Sequence, residues 1–137
     1  MQQREIKTPA TPVRAVLESE VKPWGGWSVL NQGPGYKVKL VAVTPGKRLG
    51  LQYHNLRSEH WVVVAGKARI VVGDEILELE VLESAVIPAA TVHRIENPYP
   101  ETLILVEVQE GVELVEDDVV KLDDDYRRAK IVRRMAK

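Results

Sequence analysis

Residues 51–64, LQYHNLRSEHWVVV, join two patterns in one short stretch. The end is a β-branched run and reads as a buried strand. The start carries Gln52, His54, Glu59 and His60, four groups able to ligate a metal or move a proton. Side chains alternate along a strand, so Gln52 shares a face with His54, and Glu59 with Trp61. One sheet face can then present Gln52, His54 and Glu59 together, while His60 points away from them.

Working outward, the neighbouring segments are short apolar runs separated by turn residues. GWSVLN leads into the turn QGPG, and YKVKLVAV alternates until TPGK. Beyond the opening stretch come KARIVVGDE, ILELEVLE, SAVIPAA, HRIENP and TLILVEVQEG. About eight strands of this length, punctuated by Gly, Pro and Asp, predict an all-β sandwich or barrel. Gly73-Asp74, between two alternating runs, reads as a two-residue hairpin turn. Pro9 and Pro12 make the N-terminal segment an extended arm or a loosely attached strand. At the other end, Asp123 to Asp125 are placed to cap a short helix whose later turns are basic. Those basic residues read either as a solvated terminal helix or as a phosphate-binding tail.

Composition narrows the function classes. A chain of 137 residues is long enough for one well-buried domain. Nineteen basic and twenty acidic side chains leave a net charge of -1, which gives no electrostatic reason to expect nucleic acid. There is no cysteine, so thiolate chemistry and Cys-ligated metals are excluded. No apolar run approaches a membrane span and none resembles a signal peptide, so a cytoplasmic protein without membrane partners is expected.

A fourth candidate ligand lies in IPAATVHRIEN, where His93 opens a short strand after a Pro-containing turn. Gln52, His54, Glu59 and His93 offer two imidazoles, a carboxylate and an amide oxygen, a set suited to Zn²⁺, Mn²⁺, Fe²⁺ or Co²⁺. The alternative is a hydrogen-bonded polar group at a barrel rim. Among cations, Arg57 shares the face of Glu59, and Lys37 shares one with Lys39 that is either cavity or solvent. Arg94 follows His93 directly, so a regular strand points it outward unless a bulge re-aims it. Trp24, Trp27 and Trp61 supply core volume or stack on a sugar ring. Glu107 and Gln109 share a face with Leu103 and Leu105, lining a cavity or marking where the strand leaves the barrel.

The spacing Gly46-x5-Gln52-x-His54-x4-Glu59-x6-Gly66 resembles the first cupin motif, with Gln52 in place of its usual first histidine. Pro88-x-Ala90-x2-His93-x3-Asn97 resembles the second, with Ala90 where glycine is usual. More narrowly, KPWGGWSVL, QYHNLRSEHW, IPAATVHRIENP and LVEVQEGVELVEDDVVKLDDDY are similar to the C-terminal domain of type II mannose-6-phosphate isomerases, usually fused to a mannose-1-phosphate guanylyltransferase. The resemblance implies a single cupin β-barrel (jelly roll) over residues 22–126, an N-terminal arm over 1–21 and a basic tail over 127–137. No transferase domain is expected to accompany it in a chain of this length.

By that resemblance the barrel holds one divalent ion, zinc first and then Co, Mn, Mg, Fe or Ni, on Gln52, His54, Glu59 and His93. The implied activity interconverts mannose 6-phosphate and fructose 6-phosphate by enediol proton transfer, with catalysis assigned to Glu59 and Arg57. Such a reaction needs a Lewis acid, a base in reach of carbon, and cations for the phosphate. Arg57, Lys39 and Arg94 are the substrate-binding candidates, and the sequence does not single out the base. The alternative is a non-catalytic cupin that binds metal and sugar phosphate as a sensor or assembly subunit. Open sheet edges and a free arm lead to the expectation of a homodimer.

Overall fold

The computed structural model describes residues 17–123. Eleven strands occur among them: β1 (Glu18–Lys22), β2 (Gly25–Gly33), β3 (Tyr36–Val43), β4 (Leu51–Tyr53), β5 (Arg57–Ala65), β6 (Ala68–Val72), β7 (Glu75–Leu79), β8 (Ser84–Ile87), β9 (His93–Glu96), β10 (Leu103–Gly111) and β11 (Val120–Asp123). They form two antiparallel sheets, ordered β1-β2-β3-β10-β5-β8 and β11-β4-β9-β6-β7. The expected all-β barrel is what the chain builds. No helix occurs among the described residues. Asp123, expected to open a helix, instead ends β11, and the remainder of that expected helix lies outside the described residues. The expected arm is already sheet by Glu18, since β1 pairs along β2 from Glu18↔Val29 to Lys22↔Gly25.

The sequence periods become rows of side chains. Along β3 the buried positions are Lys37, Lys39, Val41 and Val43; along β10 they are Leu103, Leu105, Glu107 and Gln109; along β5 they are Arg57, Glu59, Trp61 and Val63. Register aligns them across the sheet as Val41–Leu105–Val63, then Lys39–Glu107–Trp61, then Lys37–Gln109–Glu59. The barrel interior is therefore apolar at one end and polar at the other. The apolar end packs Val43, Val63, Ile70, Ile95, Leu103 and Leu105 into one core. Burying side chains of this size contributes roughly 1.5–3 kcal/mol each, so this half holds the barrel together.

Turn chemistry closes the strands where the sequence predicts. Val72 pairs Glu75 across the Gly73-Asp74 turn, with Gly73 at φ +58°. Gly66 between β5 and β6 has φ +79°, and a Cβ there would lie 2.5 Å from the Thr102 carbonyl oxygen, so only glycine fits. Asn97 is fully buried and donates Nδ2 to the carbonyls of Val43 (2.9 Å) and Glu101 (2.8 Å). That asparagine fastens the loop after β9 to the end of β3.

Candidate metal centre

The polar end of the barrel encloses a cavity of about 400 Å³ whose wall includes Gln52, His54, Arg57, Glu59, His93 and Glu107. Its position follows from the rows above, because β5 and β10 turn from apolar to polar at Trp61 and Glu107. The second sheet contributes the rest: Gln52 on β4 is the register partner of His93 on β9, so the two project to the same side. His54 follows β4 directly. One ligand atom each from His54, Glu59 and His93 lies within 4.8 Å of the others, and all three residues are buried.

Both imidazoles are oriented by backbone. His54 Nδ1 donates to the Asp118 carbonyl at 2.6 Å, and His93 Nδ1 donates to the Thr91 carbonyl at 2.9 Å. Each ring therefore carries its proton on Nδ1 and turns an Nε2 lone pair inward, the arrangement in which histidines ligate metal. Burial holds both imidazoles below their ordinary pKa, which keeps those lone pairs free at neutral pH. His93 Nε2 is buried without a hydrogen-bond partner. A buried acceptor left unmatched in this way costs on the order of 1–3 kcal/mol unless something meets it.

Glu59 is the third corner. Its Oε1 accepts from Trp61 Nε1 at 2.8 Å and its Oε2 from Arg57 Nε at 2.8 Å. Burial opposes the charge on this carboxylate, but Arg57 and the two histidines prevail and keep its pKa below the ordinary value. Arg57 Nη2 also donates to His54 Nε2 at 3.1 Å, so one guanidinium spans two of the three corners. Two imidazole nitrogens, a carboxylate and the nearby Gln52 amide make an N/O donor set, and the orphaned His93 Nε2 faces into it; the residues fit a divalent cation.

Beside this cluster lies a band of cations. Lys37 and Lys39, whose shared face the sequence leaves open, both turn inward and both pair with Glu116, at 3.3 and 3.2 Å. Lys39 Nζ also sits 4.1 Å from the Trp27 ring centroid. Trp24 and Trp61 belong to the core with Trp27 packed against it, and all three also form part of the cavity wall. Glu107 is buried, and burial followed by the charge of Glu59 pushes its carboxyl up to about 7.

The predicted site residues thus separate. Gln52, His54, Glu59, His93, Arg57 and Lys39 come together around the cavity. Arg94 contributes to the wall, but its guanidinium pairs with Glu96 at 3.2 Å, and the alternation of β9 puts both on the face opposite His93 and Ile95. Arg69 and Arg48 approach the same glutamate there. His60 is exposed, as its parity requires. Sequence reasoning missed Glu116 and Asp118, which join the site from the segment between β10 and β11. Asp118 accepts the Asn55 and Leu56 amides on its carboxylate at 2.9 and 2.8 Å, besides holding His54 through its carbonyl. The one available signal was the acidic run Glu116-Asp117-Asp118, set between aliphatic residues.

Known proteins share the family and the fold of this chain. The family described as "Mannose-6-phosphate isomerase C-terminal" matches residues 13–124. The xanthan biosynthesis protein XanB of Xanthomonas campestris pv. campestris (strain B100) is 39% identical over 132 residues, 91% of this chain and 28% of XanB. A mannose-1-phosphate guanylyltransferase of Salmonella muenchen is 45% identical over 102 residues, 74% of this chain and 22% of that protein. The chain thus spans about a quarter of the length of the curated relatives it matches. Among solved structures, a conserved Klebsiella pneumoniae protein with a double-stranded β-helix domain superposes with a TM-score of 0.61 at 22% identity, covering 69% of this chain and 80% of that one; this likeness concerns the fold alone. The chain belongs to the mannose-6-phosphate isomerase C-terminal family and has the double-stranded β-helix fold of the cupins.

Proposed function

We propose that this domain is a metal-dependent aldose–ketose isomerase that interconverts mannose 6-phosphate and fructose 6-phosphate. The observation that carries the proposal is the trio His54, Glu59 and His93, converging within 4.8 Å on a cavity that also has cations in its wall. A divalent ion held by these residues and Gln52 would supply Lewis acidity toward the carbonyl and hydroxyl oxygens of the sugar.

The chain's own residues do the rest. Asp118 and Thr91 fix the two imidazoles through backbone carbonyls, and Trp61 fixes Glu59. Arg57 has a buried Nη1 without a partner, a donor ready for a substrate oxygen. Lys39, with its ammonium against Trp27 and Glu116, provides charge for the phosphate beside an aromatic surface for the sugar. The apolar half of the barrel excludes water from below and strengthens every electrostatic contact above it. In the cell the product would feed the supply of mannose for nucleotide sugars.

The test is a coupled assay of mannose 6-phosphate conversion on chelator-stripped protein resupplied with Zn²⁺, Co²⁺, Mn²⁺ or Mg²⁺. His54→Ala serves as the control. Metal-dependent turnover that the variant lacks is the expected result. Protein that binds metal and mannose 6-phosphate but converts none would be a sugar-phosphate-binding cupin instead.

A further inference from the structure

The isomerisation proposed above needs a base that carries a proton between adjacent carbons, and the cavity has few carboxylates free to do so. Glu59 is a ligand candidate with both oxygens engaged, by Trp61 and Arg57. Glu116 is held by Lys37 and Lys39. Glu20, on β1 at the rim, pairs with Lys22 at 2.6 Å, and Glu18 beside it is exposed. His54 and His93 turn their Nε2 atoms toward the cluster, and that of His54 already accepts from Arg57.

Glu107 is different. It is buried in the cavity wall, makes no ion pair within 4.0 Å among the described residues, and has one side-chain hydrogen-bond partner, the Gln109 amide on Oε2. Its strand puts it across from Lys39 on one side and Trp61 on the other, one row below Gln109 and Glu59. Diagonal neighbours on adjacent strands stand roughly 7–8 Å apart, and side chains of glutamate length reach into the space between. A sugar bound against the ligand trio would thus present its C1–C2 edge between the trio and Glu107.

We propose that Glu107 is the catalytic base of this site, shuttling the proton between C2 and C1 of the open-chain sugar phosphate; this rests on the isomerase reading above. Glu107 as carboxylate takes the proton from C2, the C2–H electron pair becomes the C1–C2 double bond, and the aldehyde π pair moves to O1, which gains a proton. The proton that O1 gains is the one O2 gives up; as it passes across, the ketone forms at C2 and Glu107 returns its proton to C1. Protons and electrons balance with no other reactant. A carboxyl that burial sets near neutrality is suited to both halves of this transfer.

The experiment compares wild-type, Glu107→Gln and Glu107→Asp proteins loaded with the same metal. It reads kcat, KM, metal content, and deuterium uptake from heavy water into the sugar phosphate at C1 and C2. Glu107→Gln should keep its metal and a KM within about three-fold, and lose about 10²- to 10⁴-fold in kcat, with exchange falling in parallel. Glu107→Asp, which keeps a carboxylate but draws it back, should fall between. Glu107→Gln protein with kcat within ten-fold of wild type would overturn the assignment, as would a loss of metal equal to the loss of activity. If wild-type protein neither converts nor exchanges the sugar phosphate, the isomerase reading falls and this proposal with it.

Discussion

Ala90 occupies the position of the second motif where glycine is usual, and its backbone lies at φ +62°. This is left-handed territory, where a Cβ crowds its own chain and costs an L-residue roughly 1–2 kcal/mol. The peptide is held there because the Ala90 amide donates to the His54 carbonyl at 2.6 Å, next to a ligand candidate. Its methyl is exposed, so removing it forfeits little packing. Glycine gains greater freedom in the unfolded chain, which takes back about 0.4–1 kcal/mol. Ala90→Gly should therefore stabilise the domain by about 0.5–1 kcal/mol, the difference between those two effects. For a domain of this size that corresponds to a rise of about 2–5 °C in Tm. Thermal and urea unfolding followed by circular dichroism measure it, with the urea slope expected to stay constant. Leu82, at φ +74° and 78% exposed, should respond in the same direction. If Ala90→Gly leaves Tm unchanged or lowers it at constant slope, backbone strain is not what this position stores.

Three further outcomes follow from charge and edges. Glu107 has a folded pKa of about 7 against an ordinary 4.5, so its contribution is fully present below 4.5 and is lost as pH rises through 7. Chelator-stripped Glu107→Gln should be more stable than wild type at pH 8 by up to about 3 kcal/mol, with the gap closing toward pH 4.5; equal urea midpoints at pH 8 would contradict the buried charge. The histidines work in the opposite sense. His54 and His93 have depressed pKa values, so their stability is present above the ordinary value of about 6.5 and is lost as pH falls below it. With Glu107 replaced by Gln and metal removed, urea midpoints should fall between pH 7.5 and 5.5, and a flat profile would mean the rings are not buried neutral. Finally, among the described residues β1 is an edge strand of its sheet, and it carries Val21 at 91% exposure. The expected homodimer should appear in light scattering as twice the 15.4 kDa chain mass, and a single chain mass would rule it out.

Alternation made much of the site legible before any coordinates. Gln52, Arg57, Glu59 and Trp61 face as their parity requires, and Glu107 and Gln109 continue the face of Leu103 and Leu105. Parity groups residues without saying which face is inside. Lys37 and Lys39 stayed ambiguous for that reason, and their direction is settled by pairing β3 against the apolar positions of β10. β1 and β11 were harder to see, because β1 is exposed almost throughout and the alternation of β11 lasts only four residues. The contribution of Asp118 to His54 was not readable, since a backbone carbonyl has no side-chain signature. Ala90 was readable as a departure from a motif, but its left-handed φ needed the structure.

The shared rows of β3, β10 and β5 constrain how this chain can diverge. A single inserted residue within β10 would rotate every later side chain, bringing Val106 or Val108 inward in place of Glu107 and Gln109. Core and chemistry would fail together, because one register aligns both. Length changes are therefore confined to strand ends such as Gly73-Asp74, where the hairpin meets solvent. New substrates are reached by exchanging inward side chains one at a time. Alignments of descendants should show gapless strands around a variable cavity, with insertions only at the rims.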